Sequence, residues 1–200
     1  MADVQVETQP EPEPAEQPAP RGRTVLFTAL AVAAVMVVLI AVFALAKGGS
    51  KDSAKTPLMD QPAPAVVTTT IDGQPFDLSQ RRGSWVVLNF FATWCPPCRQ
   101  EHPDLLRFAA GQAAQPDGAE LVTIVNNDTP DAVRQFFRDN GGNWPVLQDP
   151  QGAIYVSFGV SKVPETWIID PNGYVRYRSI ATVTADSLAS VLAQLKGQQQ

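Results

Sequence analysis

The sequence predicts an α/β domain: a central mixed sheet with helices on both faces, preceded by an N-terminal hairpin and a single helix of membrane-spanning length. Three observations carry this. Trp85–Phe91 (WVVLNFF) and Leu121–Val125 (LVTIV) are almost continuously apolar, as strands buried on both faces are. Each is followed by a helical segment with a proline in its first turn, Pro97 to about Ala114 and Pro130 to about Asn140. A further pair of strands and a terminal helix close the chain, so that a strand-helix-strand-helix core acquires antiparallel strands and the sheet becomes mixed.

Taken in order, residues 1–23 hold five acidic residues, two basic residues and five prolines, with almost nothing to build a core, and read as a disordered acidic tail. Residues 24–46 run for 23 positions without a charge. As a helix they span roughly 34 Å, against a hydrocarbon layer of roughly 30 Å. Two readings stand. An uncleaved transmembrane anchor is favoured, because the apolar region of a signal peptide runs to only about 7–15 residues; a cleaved signal is the rival, since Ala44-Leu45-Ala46 resembles an A-x-A site. Arg21 and Arg23 before the segment are balanced by Lys47, Lys51 and Lys55 after it, so the positive-inside count does not orient it. Residues 47–60 read as a flexible tether, 61–196 as one domain and 197–200 as a short tail.

Within that domain, Val66–Ile71 and Gln74–Leu78 flank Asp72-Gly73, a hairpin turn signal. Thr129 caps the second helix. Gly152–Phe158 forms a short helix, Thr166–Ile169 and Tyr174–Ile180 pair around Pro171-Asn172-Gly173, and Thr184 caps the helix Ala185–Leu195.

Composition excludes several functions. A net charge of -5 and a pI near 4.8 argue against nucleic acid as a partner. Two cysteines and one histidine rule out a disulfide-stapled mini-protein and a self-contained four-ligand zinc site, and no metal or cofactor is expected.

Trp94-Cys95-Pro96-Pro97-Cys98 follows a buried strand and opens a helix. At this spacing the two sulfurs can form and break a disulfide. Cys95 falls at the helix N-terminus, where unpaired N–H groups and the helix dipole favour a thiolate. A thiol of pKa about 8.5 is only about 3% ionised at pH 7, and one of pKa about 7 is half ionised. Cys95 is thus the candidate exposed nucleophile and Cys98 the resolving thiol. A purely structural disulfide closes too small a loop to stabilise much. Haem attachment through C-x-x-C-H fails because Arg99 follows Cys98. Half of an intersubunit zinc site needs ligands from a partner.

FFATWCPPCRQEHPDL, followed by GVSKVPETWIIDPNGYVRYR, closely resembles the membrane-anchored thioredoxin-like proteins of the TlpA and cytochrome c maturation group, over roughly residues 61–196. The resemblance implies a thioredoxin fold and thiol-disulfide exchange outside the cytoplasm. It implies protein disulfide substrates, notably apocytochrome c before haem attachment, and a membrane electron donor protein that re-reduces the dithiol. It also implies a cis peptide bond at Val163-Pro164 opposite the cysteines, whose unpaired backbone edge can pair with a substrate strand. The alternative is a trans proline opening a strand.

Glu101 lies three residues after Cys98, on the same helix face. The resemblance implies that it accepts the Cys98 proton; the alternative is a solvated glutamate. Asn89 stands where cytosolic thioredoxin has a buried aspartate, so the carboxylate role is expected at Glu101. Trp94, Pro96, Pro97, Val163, Pro164 and Glu165 are the candidate substrate contacts, with Trp94 shielding Cys95 and Glu165 either lining the groove or sitting on its rim. His102 reads as a helix-surface residue.

The expected function is reduction of disulfides in exported proteins. The rivals are an oxidant that installs disulfides, a peroxiredoxin-type thiol peroxidase, and a thiol chaperone acting through the acidic tail. A reactive dithiol with no third cysteine suits the oxidising side of a membrane, which sets the tail in the cytoplasm and the domain outside.

Overall fold

The computed structural model describes residues 22–46 and 56–198, with side chains at 26–40 and 56–198. The acidic tail up to residue 21, residues 47–55 of the tether and residues 199–200 lie outside the described residues. Gly22–Ala46 (α1) is one helix of 25 residues, about 37 Å long. Every described side chain on it is exposed. The stretch whose side chains are described, 26–40, is by itself shorter than a membrane span requires.

The five-stranded sheet has the order β5-β4-β3-β6-β7. Val86–Phe91 (β3) is central and buried at all six positions, as its unbroken apolar run dictates. It pairs in parallel with Glu120–Val125 (β4), which pairs in parallel with the short edge strand Val146–Gln148 (β5). On its other side β3 pairs antiparallel with Glu165–Ile169 (β6), which pairs antiparallel with Val175–Ser179 (β7). The mixed sheet is therefore as the element order predicts. β5 is not legible in the sequence, because three residues between Pro145 and Asp149 are too few to display a period.

Both sheet edges are covered. The hairpin of Val67–Thr69 (β1) and Pro75–Asp77 (β2) docks on β5, with the Ile71 N–H donating to the Val146 carbonyl at 2.8 Å. Its turn carries Gly73 at φ 78, a conformation glycine adopts without cost. At the other edge, the Asp60 N–H donates to Val175 O and the Val175 N–H to Gln61 O, each at 2.9 Å.

Strand alternation divides the core into two layers. Leu88, Phe90, Trp167 and Ile169 pack with Val66, Phe76 and the short helix Ala153–Phe158 (α4). Val87, Ile168 and Tyr177 pack with Pro96–Ala113 (α2) and Ala185–Gly197 (α5) through Leu105, Phe108, Leu188 and Leu192. Pro130–Asn140 (α3) joins that second side through Val133, Phe136 and Phe137. The expected caps are present: Thr129 Oγ1 accepts the Ala132 N–H, and Thr184 forms a reciprocal capping box with Ser187.

Leu105, 1% exposed, anchors α2 on the sheet below the cysteines. Leu105→Ala is expected to cost about 2–5 kcal/mol of stability, read as a lower urea midpoint at unchanged slope. A loss below about 1 kcal/mol would mean that α2 is held elsewhere.

Candidate active site

The segment between β3 and α2 is latched by the β4–α3 loop. The Thr93 N–H and hydroxyl donate to the Asp128 carboxylate at 2.6 and 3.1 Å, and the Trp94 Nε1–H donates to the Asn127 carbonyl at 2.9 Å. Asn127 sits at φ 54, a left-handed conformation that asparagine tolerates better than most residues. Its one polar atom held by this loop, the Trp94 indole stays 59% exposed. With Val156, Lys162 and Val163 it lines an open groove of about 340 Å³ beside the cysteines.

Cys95 is the N-cap of α2, with Pro96 and Pro97 in the first turn. Its Sγ accepts the Cys98 N–H at 3.2 Å. The two cysteines form a disulfide with Cα atoms 5.3 Å apart. In this oxidised form Cys98 is fully buried and Cys95 is 3% exposed, so the expectation of an exposed Cys95 is corrected for this state; Pro96 and Pro97 remain exposed. Cys95 Sγ lies 3.6 Å from the Val163 carbonyl oxygen, and the Val163-Pro164 bond is cis. The expected placement of this bond opposite the cysteines is therefore observed.

Below the disulfide, Cys98, Glu101, His102, Leu105, Phe108 and Gln112 form the buried stripe of α2. Glu101 is 2% exposed, which corrects the solvated alternative. Its Oε1 accepts from Asn89 Nδ2 at 2.8 Å and its Oε2 from the Val183 N–H at 3.0 Å. Burial pushes its carboxyl up to about 7, against the opposing effect of those two hydrogen bonds, with the Asp104 charge adding to the rise.

The surface reading of His102 is corrected as well. It is 2% exposed and lies among the rings of Phe91, Phe136, Phe137 and Trp144. Its Nε2–H donates to the Gly141 carbonyl at 2.9 Å, and Nδ1 is buried with no hydrogen-bond partner. Burial holds its pKa below the usual histidine range. The physical reason is helical spacing: position 102 is four residues from Cys98 and three from Leu105, on the stripe that faces the core.

Glu165 neither lines the groove nor sits on its rim. It is fully buried; its Oε1 accepts from Arg178 Nε and Trp167 Nε1, each at 2.8 Å, and its Oε2 has no partner. It shares a sheet face with Trp167, the face opposite the one that carries Asn89, Thr166 and Glu101. Asn127, Asp128, Thr166, Arg178 and the Val183 N–H also take part, and no local sequence signal marks them for the site. Among the described residues no group of His, Cys, Asp or Glu is arranged to hold a metal ion.

The chain has relatives among known proteins. The AhpC/TSA family model matches residues 59–178. The thiol:disulfide interchange protein HelX of Rhodobacter capsulatus is 33% identical over 143 residues, 70% of this chain and 78% of its own. The thiol-disulfide oxidoreductase ResA of Bacillus subtilis is 31% identical over 134 residues, 67% of this chain and 74% of its own. Among solved structures, a thioredoxin family thiol:disulfide interchange protein from Chlorobium tepidum superposes with a TM-score of 0.61 at 26% identity, covering 70% of this chain and 98% of that one. The fold is thus thioredoxin-like.

The buried Glu101 makes stability depend on pH. Its carboxyl titrates near 7 folded and near 4.5 unfolded, so between those values the folded state binds more protons. The contribution is complete below about 4.5 and is lost as pH rises through 7, by about 3 kcal/mol in total. His102, held neutral by burial, acts in the opposite direction. The contribution is therefore isolated as the wild-type minus Glu101→Gln difference in urea stability of the oxidised form. That difference is expected to fall by about 2.5 kcal/mol between pH 5 and pH 8. A difference independent of pH would mean that burial does not govern this carboxyl.

Proposed function

This chain belongs to the AhpC/TSA family and is a protein thiol-disulfide oxidoreductase; from that premise we propose that it reduces disulfides of exported proteins from a membrane anchor, on the extracytoplasmic side. The observation that carries the reading is the Cys95–Cys98 pair at the start of α2, with a buried, titratable carboxyl one turn further along the helix. α1, apolar from residue 24 to 46, supplies the anchor, and the absence of a third cysteine suits an oxidising compartment. The resemblance to the cytochrome c maturation group supports the cysteines of apocytochrome c as the substrate, and a membrane protein as the electron donor.

In the reduced protein the Cys95 thiolate attacks one sulfur of a substrate disulfide held against the Val163-Pro164 edge, with Trp94, Pro96 and Pro97 around it. One substrate sulfur leaves as a thiolate and a mixed disulfide remains. Cys98 gives its proton to Glu101 and attacks Cys95 Sγ. The second substrate sulfur leaves, and Cys95–Cys98 is oxidised by two electrons. Glu165 supports the substrate edge from the core through Arg178. Donor electrons then restore the dithiol.

Two measurements test this. Cys98→Ser is expected to accumulate a mixed disulfide with substrate on a non-reducing gel; an adduct with Cys95→Ser in its place would exchange the two roles. The Cys95–Cys98 reduction potential is expected nearer about -270 mV, as for a reductant, than about -120 mV, as for a strong oxidant. A value near the latter would assign disulfide formation instead. Rapid oxidation of Cys95 by hydrogen peroxide in a stopped-flow assay would assign a peroxidase.

A further inference from the structure

Asn89 is the single polar side chain in the six-residue buried run of β3, and it is fully buried. An amide in that setting carries a desolvation cost that only hydrogen bonds offset. Its Nδ2 makes two, to Glu101 Oε1 at 2.8 Å and to Thr166 Oγ1 at 3.1 Å, while its Oδ1 is buried with no partner among the described residues. An amide placed for stability alone would have both ends paired. Here the donor end is used fully and the acceptor end is left open. An ionised carboxylate only accepts, so the donor end is the one that must face Glu101.

Thr166 stands directly opposite Asn89 in the β3–β6 register, two residues beyond Pro164. The amide thus connects the carboxyl below Cys98 to the strand whose start forms the substrate edge.

We propose that Asn89 is a positioning residue for disulfide exchange: its amide, bridging Glu101 Oε1 and Thr166 Oγ1, holds the Glu101 carboxylate in place to take the Cys98 proton. This rests on the assignment of Glu101 as proton acceptor. In the step it serves, the Cys98 S–H proton passes to Glu101, the new thiolate forms the Cys95–Cys98 bond, and the Cys95–substrate bond breaks with its electron pair on the departing substrate sulfur. A neutral amide is needed here. A carboxylate 2.8 Å from Glu101 would share one proton with it and give a coupled pair. The other groups around Glu101 are Asp104 on its own helix, whose charge opposes ionisation, and Tyr177 on the same sheet face; Asp186 at the start of α5 is exposed, His102 faces the aromatic rings, and Glu165 lies across the sheet.

The test follows the second step alone. Reduced full-length protein is mixed with an aromatic disulfide whose two thiolates absorb on release, and the second release, which reports attack by Cys98, is timed by stopped flow across pH. In the wild type the rate rises through a midpoint set by Glu101. Asn89→Leu is expected to move that midpoint about one to two pH units alkaline and to slow release about tenfold or more at neutral pH. Asn89→Asp is expected to split the profile into two steps. If leucine prevents folding, Asn89→Ser, too short to reach both partners, is expected to give the same alkaline shift. A uniform loss of rate with an unmoved midpoint would make Asn89 merely structural and overturn the proposal. Glu101→Gln is the control. A flattened profile upholds the role of Glu101, so that an unmoved midpoint in the Asn89 variants counts against Asn89 alone; an unchanged profile removes Glu101 as the acceptor and the proposal with it.

Discussion

A helix leaves its first N–H groups without partners inside the helix, and where α2 begins decides how the site uses them. Pro96 and Pro97 have no N–H to offer, so the first free donor in this turn is that of Cys98, and it points at Cys95 Sγ at 3.2 Å. The sulfur in the N-cap position therefore receives a hydrogen bond and the positive end of the helix dipole together, both of which favour a thiolate once the disulfide is opened. The same starting point sets the rest of the stripe. Counting from Cys95, one turn places Cys98 inside, and the next places Glu101 and His102 under it. Moving the helix start by one residue would rotate all of them away from the sheet.

The two buried glutamates show how differently a carboxylate is accommodated. Glu165 has a counter-ion, the Arg178 guanidinium, which also stacks over Trp167 at 4.9 Å. Among the described residues no cation is paired with Glu101; an amide and a backbone N–H offset its burial there. These hydrogen bonds do not outweigh the cost of burying the charge, and the carboxyl is pushed up to about 7. A group balanced there can take up and release a proton at neutral pH, as acid-base work requires. The ion-paired glutamate, on the far side of the sheet, suits a supporting role for the Pro164 edge.

The sequence disclosed those features that depend on local chemistry. The C-x-x-C pair at a strand-helix junction and the Thr129 and Thr184 caps each have a signature within a few residues, and each is observed; the cis bond at Val163-Pro164, which only the family resemblance implied, is observed as well. The fold class followed from the order of such segments. Features set by packing between distant segments were not legible. His102 looked like a surface residue because imidazole is polar, yet its spacing from Cys98 and Leu105 already placed it on the buried stripe; the ring-lined pocket that receives it comes from β3, α3 and Trp144. The position of Glu165 after Pro164 suggests a residue of the groove or of its rim, whereas strand alternation turns it into the core toward Arg178. The Val183 N–H could not be anticipated at all, since a backbone donor carries no side-chain signal and lies 82 residues from its acceptor.

Antiparallel pairing of β3 and β6 explains why these parts meet. β3 ends, and α2 begins, at the end of the sheet where β6 starts, so the cysteines leaving one strand face the Val163-Pro164 bond entering the other. The same register sets Asn89 against Thr166 and Phe90 against Glu165. Because side chains alternate across a strand, a slip of one residue in this pairing would carry Thr166 to the far layer and bring Glu165 toward Glu101. Two buried carboxylates would then lie on one face. The apolar residues that bracket Asn89, with Leu88 and Phe90 facing one layer and Val87 facing the other, make such a slip costly, since it would turn both layers inside out. The hydrophobic pattern of one central strand thus determines which carboxyl is left to titrate below the disulfide.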